Sequence, residues 1–231
     1  MENIKVISLG GSIIAPDKVD TEFIRRFYSE IVRYLDKDAG RKLIFVTGGG
    51  GPARQYQSAY REISEDTDSD LQDWIGIMAT RLNAQLIKGV FGGLCINPVV
   101  TDPTEPGSFD GRIMVAAGWK PGWSTDFDAV VLAERFGADT VINLSNISKV
   151  YTADPNIDPE AVALDKMSWD ELKKLVGDEW VPGKNVPFDP VATAKASELK
   201  LKVITAAGRD IENMSNLLEG SEFTGTLIGP E

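Results

Sequence analysis

Histidine is absent from this 231-residue chain. Without an imidazole there is no Ser-His-Asp triad, no His-ligated zinc and no histidine general base. Cysteine is nearly absent too. Cys95, in the apolar run LCINPVV, is the only one; it can form no disulfide within the chain and reads as a buried thiol. No apolar run reaches the length of a membrane span. The opening MENIKVISLGGS lacks the basic stretch and long apolar run of a secretory leader, so a cytoplasmic protein with no membrane partner is expected. Cations are in deficit: 24 Lys and Arg stand against 35 Asp and Glu, a formal net charge of −11. A general nucleic-acid binder needs a basic face for phosphates, and none is expected here. Whatever chemistry the chain performs has to run on Lys, Arg, Asp, backbone amides and a metal that the substrate brings.

What is present is an alternation of apolar strands and amphipathic helices. Lys5–Leu9 (KVISL) and Lys42–Thr47 (KLIFVT) are short apolar strands that each run into glycines. Asp20 reads as the N-cap of a helix with Phe23, Phe27, Ile31 and Leu35 on one face. After an acidic loop at Glu65–Asp70, residues Leu71, Trp74, Ile75, Met78, Leu82, Gln85 and Leu86 fall at helical spacing; this face is expected to pack in the core or against another subunit. Further strands are expected at Arg112–Ala117, Thr140–Leu144 and Leu201–Thr205. The rhythm predicts an α/β fold around a mostly parallel sheet. With no long linker or repeat, a single domain spanning residues 1–231 is expected.

In an open α/β sheet, ligands bind beyond the carboxyl ends of the strands. A glycine there lets the backbone approach a phosphate, and the helix that follows offers free N–H groups. Gly10-Gly11-Ser12 and Gly48-Gly49-Gly50-Gly51 both stand at such ends, although a glycine turn also serves as a tight connection. Neither is GxGxxG with an acidic residue at the usual distance, and neither is GxxxxGK[ST], so dinucleotide and P-loop folds fit poorly. Arg54, about one turn beyond the second run, is either a fork of donors for a phosphate or a solvated surface arginine. Asp126, preceded by Ser124 and Thr125, opens a helix; it either caps that helix or orients cationic groups around a transferring phosphoryl. Asp189-Pro190 opens another, in which Lys195 lies among small residues and either enters a cleft or snorkels at the surface.

These segments, SLGGS (8–12), VTGGGGPAR (46–54), DWIGIMATRLNAQLI (73–87), GWKPGWSTD (118–126), VYTADPNIDP (150–159) and VPFDPVATAKA (186–196), resemble the amino-acid kinase superfamily in order and spacing. Within it the chain is most similar to the archaeal-type uridylate (UMP) kinases. The resemblance implies a three-layer α/β/α sandwich, with an acceptor-binding part at about residues 1–135 and a nucleotide-binding part at about 136–231. It implies transfer of the γ-phosphoryl group of ATP, with Mg2+, to UMP or a similar phosphate monoester. Gly10, Gly11 and Ser12 would cover the transferring phosphates. Gly49, Asp73, Trp119, Gly122, Trp123, Ser124 and Thr125 would hold the acceptor. Gly50 and Arg54 would lie at the junction with ATP, and Ser145, Asn146, Tyr151 and Asp154 on its adenosine side. Asp126 would organise the catalytic cations, with Lys195 near the γ-phosphate. A homo-oligomer, hexameric or built from dimers, is also implied.

Three departures are visible. The lysine of the superfamily's Lys-x-Gly-Gly-Ser is Ser8 here. Its Asp-Gly on the nucleotide side is Ser148-Lys149, which makes Lys149 a further candidate for the ATP phosphates. Trp119 and Trp123 stand where smaller or more polar residues are usual, either to stack on a base or to fill the acceptor pocket. Isopentenyl phosphate kinase, a relative of the same fold, uses a histidine at its acceptor phosphate, which this chain lacks. The alternatives are a kinase for another small phosphate and a non-catalytic nucleotide- or oxyanion-binding member, a sensor or storage protein.

Overall fold

Strands that are apolar on both faces, joined by helices, dictate a sheet covered on both sides. The computed structural model describes residues 3–155, 157–177 and 186–230. Asn156 of the 150–159 motif lies outside them. In chain order the elements are β1 (Asn3–Leu9), α1 (Gly11–Ile14), α2 (Thr21–Asp36), β2 (Arg41–Thr47), α3 (Gly50–Ile63), α4 (Ser69–Phe91), β3 (Ile113–Ala116) and α5 (Thr125–Phe136). Then follow β4 (Thr140–Ser145), β5 (Val150–Tyr151), β6 (Ala163–Leu164), β7 (Lys166–Ser168), α6 (Trp169–Val176), α7 (Pro190–Glu198), β8 (Lys202–Ala207), α8 (Ile211–Glu219) and β9 (Thr226–Gly229).

Seven strands form one sheet in the order β3-β2-β1-β4-β8-β9-β7, and β5 and β6 make a separate two-stranded ribbon. Every pairing in the large sheet is parallel except β8 with β9. Because side chains alternate along a strand, each strand feeds both faces. Ile7, Leu9, Leu43, Phe45, Ile142 and Leu144 pack with α1, α2, α4 and α8 on one side. Val6, Ile44, Val46, Met114, Val141 and Val203 pack with α5, α6 and α7 on the other. The expected three-layer α/β/α sandwich is the observed one.

The chain leaves β1 toward β2 on one side, while β4 and β8 lie on the other. The strand order therefore reverses between β1 and β4, and a crevice at the carboxyl ends is expected there. The turns after β1, β2, β3, β4 and β8 all open on that same edge.

Two expectations change. Helix α4 begins at Ser69, capped by Asp68, whose carboxylate accepts from the Leu71 N–H, so the acidic loop is shorter than read. Its Leu71, Met78 and Leu82 are exposed, whereas Ile77, Thr80, Asn83, Ala84, Ile87 and Phe91 are buried. The inward face is set by contact with α3 and with strands β2 and β3. It includes polar residues that a purely apolar periodicity passes over.

Candidate active site

The two glycine runs pack against each other. A methyl group on Gly11 would lie 2.1 Å from the Gly50 nitrogen and 2.5 Å from the Gly48 carbonyl carbon. Gly50 has φ +66°, and a side chain there would meet the Gly11 oxygen at 2.3 Å. The glycines thus allow backbone to cross backbone, which brings the first turns of α1 and α3 to one place. Helix starts leave N–H groups without intrahelical partners, so this crossing concentrates donors for an anion. Asn83 braces it from α4, donating to the carbonyls of Gly48 (2.7 Å) and Gly49 (3.2 Å).

Beside the crossing lies a cleft of about 820 Å³ between α3, α4 and the loop before α5. That is within the ~300–1,000 Å³ range of small-molecule sites. Of the expected acceptor residues, Gly49, Arg54, Asp73, Trp123, Ser124 and Thr125 line it, joined by Gln57, Arg61 and Thr80. Trp119 and Gly122 are not on its wall. Gly122 instead donates its N–H to Asp73 Oδ2 at 3.0 Å, which ties the loop to α4. Partial burial raises the Asp73 carboxyl above its ordinary value, with the Gly122 N–H opposing. Trp119 packs its ring 5.7 Å from Trp123, and Trp123 lies 4.2 Å from Phe127. The two tryptophans buttress one wall and leave the cleft open.

Arg54 reaches from α3 to the loop after β1. Its Nη1 donates to Ser12 Oγ at 2.9 Å and its Nη2 to the Pro16 carbonyl at 2.9 Å. The arginine therefore ties α3 to the loop after β1, with further N–H donors still to offer.

Asp126, near the start of α5, is held by two neutral donors. Ser8 Oγ donates to its Oδ1 at 3.0 Å and the Asp189 N–H to its Oδ2 at 3.3 Å. Desolvation and the nearby Asp189 carboxylate push the Asp126 carboxyl up to about 6, with both hydrogen bonds pulling the other way. At neutral pH it is a carboxylate, and the serine in the place of the superfamily's lysine is its fixed partner. Asp189 caps α7 by accepting from the Ala192 N–H at 2.7 Å; its own carboxyl is raised by burial, and its Oδ2 has no hydrogen-bond partner.

Lys195 has a partner on α5. It pairs with Glu134 at 2.7 Å. Glu134 is eight residues beyond Asp126 on α5, about 12 Å along the axis. Lys149 likewise forms an ion pair, with Asp165.

The donor-side candidates lie at the ends of β4 and β5. Gly10 donates to the Leu144 carbonyl at 2.9 Å and Gly208 to the Ser145 carbonyl at 2.8 Å, stitching the edge across β1, β4 and β8. Asn146 is exposed beyond Ser145. Tyr151 pairs with Ala163 in the small ribbon. The Asp154 carbonyl closes a turn by accepting from the N–H groups of Ile157 and Asp158.

Sequence reasoning passed over Ser8, Asp189, Thr80, Arg81 and Asn83 as working parts. The last three are the polar members of an inward helical face. That spacing is a signal once the face is known, but not before.

The sequence profile described as the amino acid kinase family matches residues 3–205. A uridylate kinase from Methanospirillum hungatei is 41% identical, covering 96% of this chain and 93% of its own. One from Thermoplasma volcanium is 35% identical, covering 96% of each. The crystal structure of uridylate kinase from Archaeoglobus fulgidus superposes with a TM-score of 0.82 at 33% identity, covering 97% of this chain and 99% of that one.

Proposed function

The chain belongs to the amino acid kinase family, and within that family we propose that it is an ATP-dependent uridylate kinase, transferring the γ-phosphoryl group of ATP to UMP to give UDP. The observation that supports this most is the open cleft beside the glycine crossing. Arg54, which bonds to Ser12 of the first glycine turn, lines this cleft together with Ser124 and Thr125. Phosphoryl transfer asks a protein for positioning and charge stabilisation rather than covalent chemistry. UMP brings its own anionic oxygen as nucleophile, so a chain without histidine needs no strong base.

In this reading the acceptor lies over β2 and β3 and ATP over β4 and β8. The division near residue 135 then follows the reversal of strand order rather than a break between domains. The N–H groups at the start of α1 and α3 hold the phosphates between the two nucleotides. Asp126 orients the donors around the transferring group, fixed by Ser8 and the Asp189 N–H. Among the described residues no group of three or more His, Cys, Asp or Glu stands together to hold a metal. Mg2+ is accordingly assigned to the ATP phosphates, as part of the substrate, where it offsets their charge.

No helix among the described residues is long and apolar enough to cross a membrane; the reading places the enzyme in the cytoplasm, with its nucleotides. The exposed Leu71, Met78 and Leu82 stripe of α4 is assigned to a contact between copies of the chain. Light scattering should find an oligomer at micromolar concentration, and a monomer would remove that assignment.

The test is ADP release from Mg-ATP with UMP, CMP, dTMP and AMP in parallel. UMP turnover that falls by about 100-fold or more in Asp126→Asn is the expected result. ATP binding without transfer to any acceptor would instead favour the non-catalytic member, motivated by Ser8 and the tryptophans.

A further inference from the structure

Helix α5 buries a run of apolar residues, Ala129 to Ala133, and among them sits Asp128, with no exposed surface. An acid in such a place needs a compensating partner, because burying an unpaired carboxyl is strongly unfavourable. Its Oδ2 accepts the Trp119 N–H at 3.2 Å, while its Oδ1 has no partner among the described residues. Burial pushes the carboxyl up to about 8, the Asp126 and Asp102 carboxylates adding to the rise and Arg81 opposing it. Its Oδ2 accepts the Trp119 N–H in the way an amide carbonyl would.

The peptide groups on either side of that N–H are held from α4. Arg81 Nη2 donates to the Trp119 carbonyl at 2.9 Å, and Thr80 Oγ1 accepts the Gly118 N–H at 2.8 Å. The start of the acceptor loop is therefore fixed by side chains of α4 and α5 rather than by a strand ladder. Trp119 passes that position on: its ring leans on Trp123, which lines the cleft.

We propose that Asp128 is a positioning residue for acceptor binding, gripping the Trp119 peptide so that Trp123 and Ser124 keep their places on the cleft wall. The proposal rests on the reading of that cleft as the UMP site. It acts through the loop and touches no reacting atom.

Asp128→Asn keeps an accepting oxygen and should leave KM for UMP within about twofold. Asp128→Leu keeps the volume but removes the acceptor; loss of one buried hydrogen bond predicts a KM about tenfold higher, with kcat changed less than about threefold. Near-UV circular dichroism should show the Trp119–Trp123 pair preserved in the Asn variant and weakened in the Leu variant. Amide exchange of the unmutated protein reads the grip without relying on any variant: the Trp119 N–H should be protected well beyond that of Lys120. A Trp119 amide exchanging as freely as an open loop, or equal effects of Asn and Leu on KM, would overturn the proposal. Absence of UMP turnover in the wild type would instead strike the kinase reading, and amide exchange would still decide the grip.

Discussion

Replacing Asp126 by Asn should make the protein more stable at neutral pH while abolishing its activity. Burial pushes the folded carboxyl up to about 6 from an ordinary 3.8, so between those limits the folded state binds more protons than the unfolded one. Stability then falls as pH rises through that window, and above it the full penalty of the buried charge is present. About two units at ~1.4 kcal/mol each is ~3 kcal/mol. This is an upper bound, since Asp126 retains some exposed surface. The amide removes that penalty. It can still accept from Ser8, but its NH2 would face the Asp189 N–H, forfeiting one hydrogen bond of about 1 kcal/mol. The net gain at pH 7.5 is therefore ~2 kcal/mol, or roughly 4–8 °C in melting temperature for a chain of this size. At pH 4 the wild-type carboxyl is protonated and the sign should reverse by about 1 kcal/mol. The assay is a pair of denaturant titrations at the two pH values, beside initial rates with UMP. A variant less stable by the same margin at both pH values would show that the carboxylate is not desolvated. Full activity in it would remove Asp126 from the catalytic arrangement.

Lys195→Ala should change kcat less than about twofold, since the lysine pairs with Glu134 and partly exposed pairs contribute under about 1 kcal/mol. A large fall measured in the same coupled assay would mean that the lysine leaves Glu134 during turnover. Gly11→Ala should destabilise by about 3 kcal/mol, because its methyl group meets backbone atoms of Gly48 and Gly50 that cannot yield. Gly89→Ala, an exposed helical position with nothing within 4 Å, should raise the melting temperature as its control, by about 0.5–1 kcal/mol of stability. Equal effects of the two substitutions would refute the crossing as a packing constraint.

Much of the fold can be read from the residues. KVISL, KLIFVT and TVINL are too short and too apolar for amphipathic helices, and each ends at glycine or serine where a parallel sheet turns. The caps are equally plain: Asp20 accepts from the Phe23 N–H and Asp189 from the Ala192 N–H, as their spacing requires. Strand β9 is harder to read. TLIG is four residues long, runs antiparallel to β8 and gains its place from partners far away in sequence. The inward face of α4 is hard to read for a related cause. Leu71, Met78 and Leu82 are periodic, but periodicity identifies a stripe without saying what covers it. The buried stripe includes Thr80 and Asn83, whose side chains are needed by Gly118 and Gly48.

The candidate site divides along the same line. Glycines, Arg54 and Asp126 were visible because their residue types sit at turns where few other reasons exist for them. The bond from Ser8 to Asp126 and the place of Asp128 were not, since a serine in a strand and an aspartate in the first turn of a helix have ordinary explanations. Their placement depends on register. Ser8 shares a sheet face with Val6, so its hydroxyl is directed at α5, where Asp126 waits. A lysine at that position would point the same way and could pair with the carboxylate or reach beyond it. The serine can only bond to it, so this chain fixes Asp126 with a short neutral donor and must draw its cations from elsewhere. Arg54, already bridging Ser12 and Pro16, is a cation that the geometry puts beside the glycine crossing.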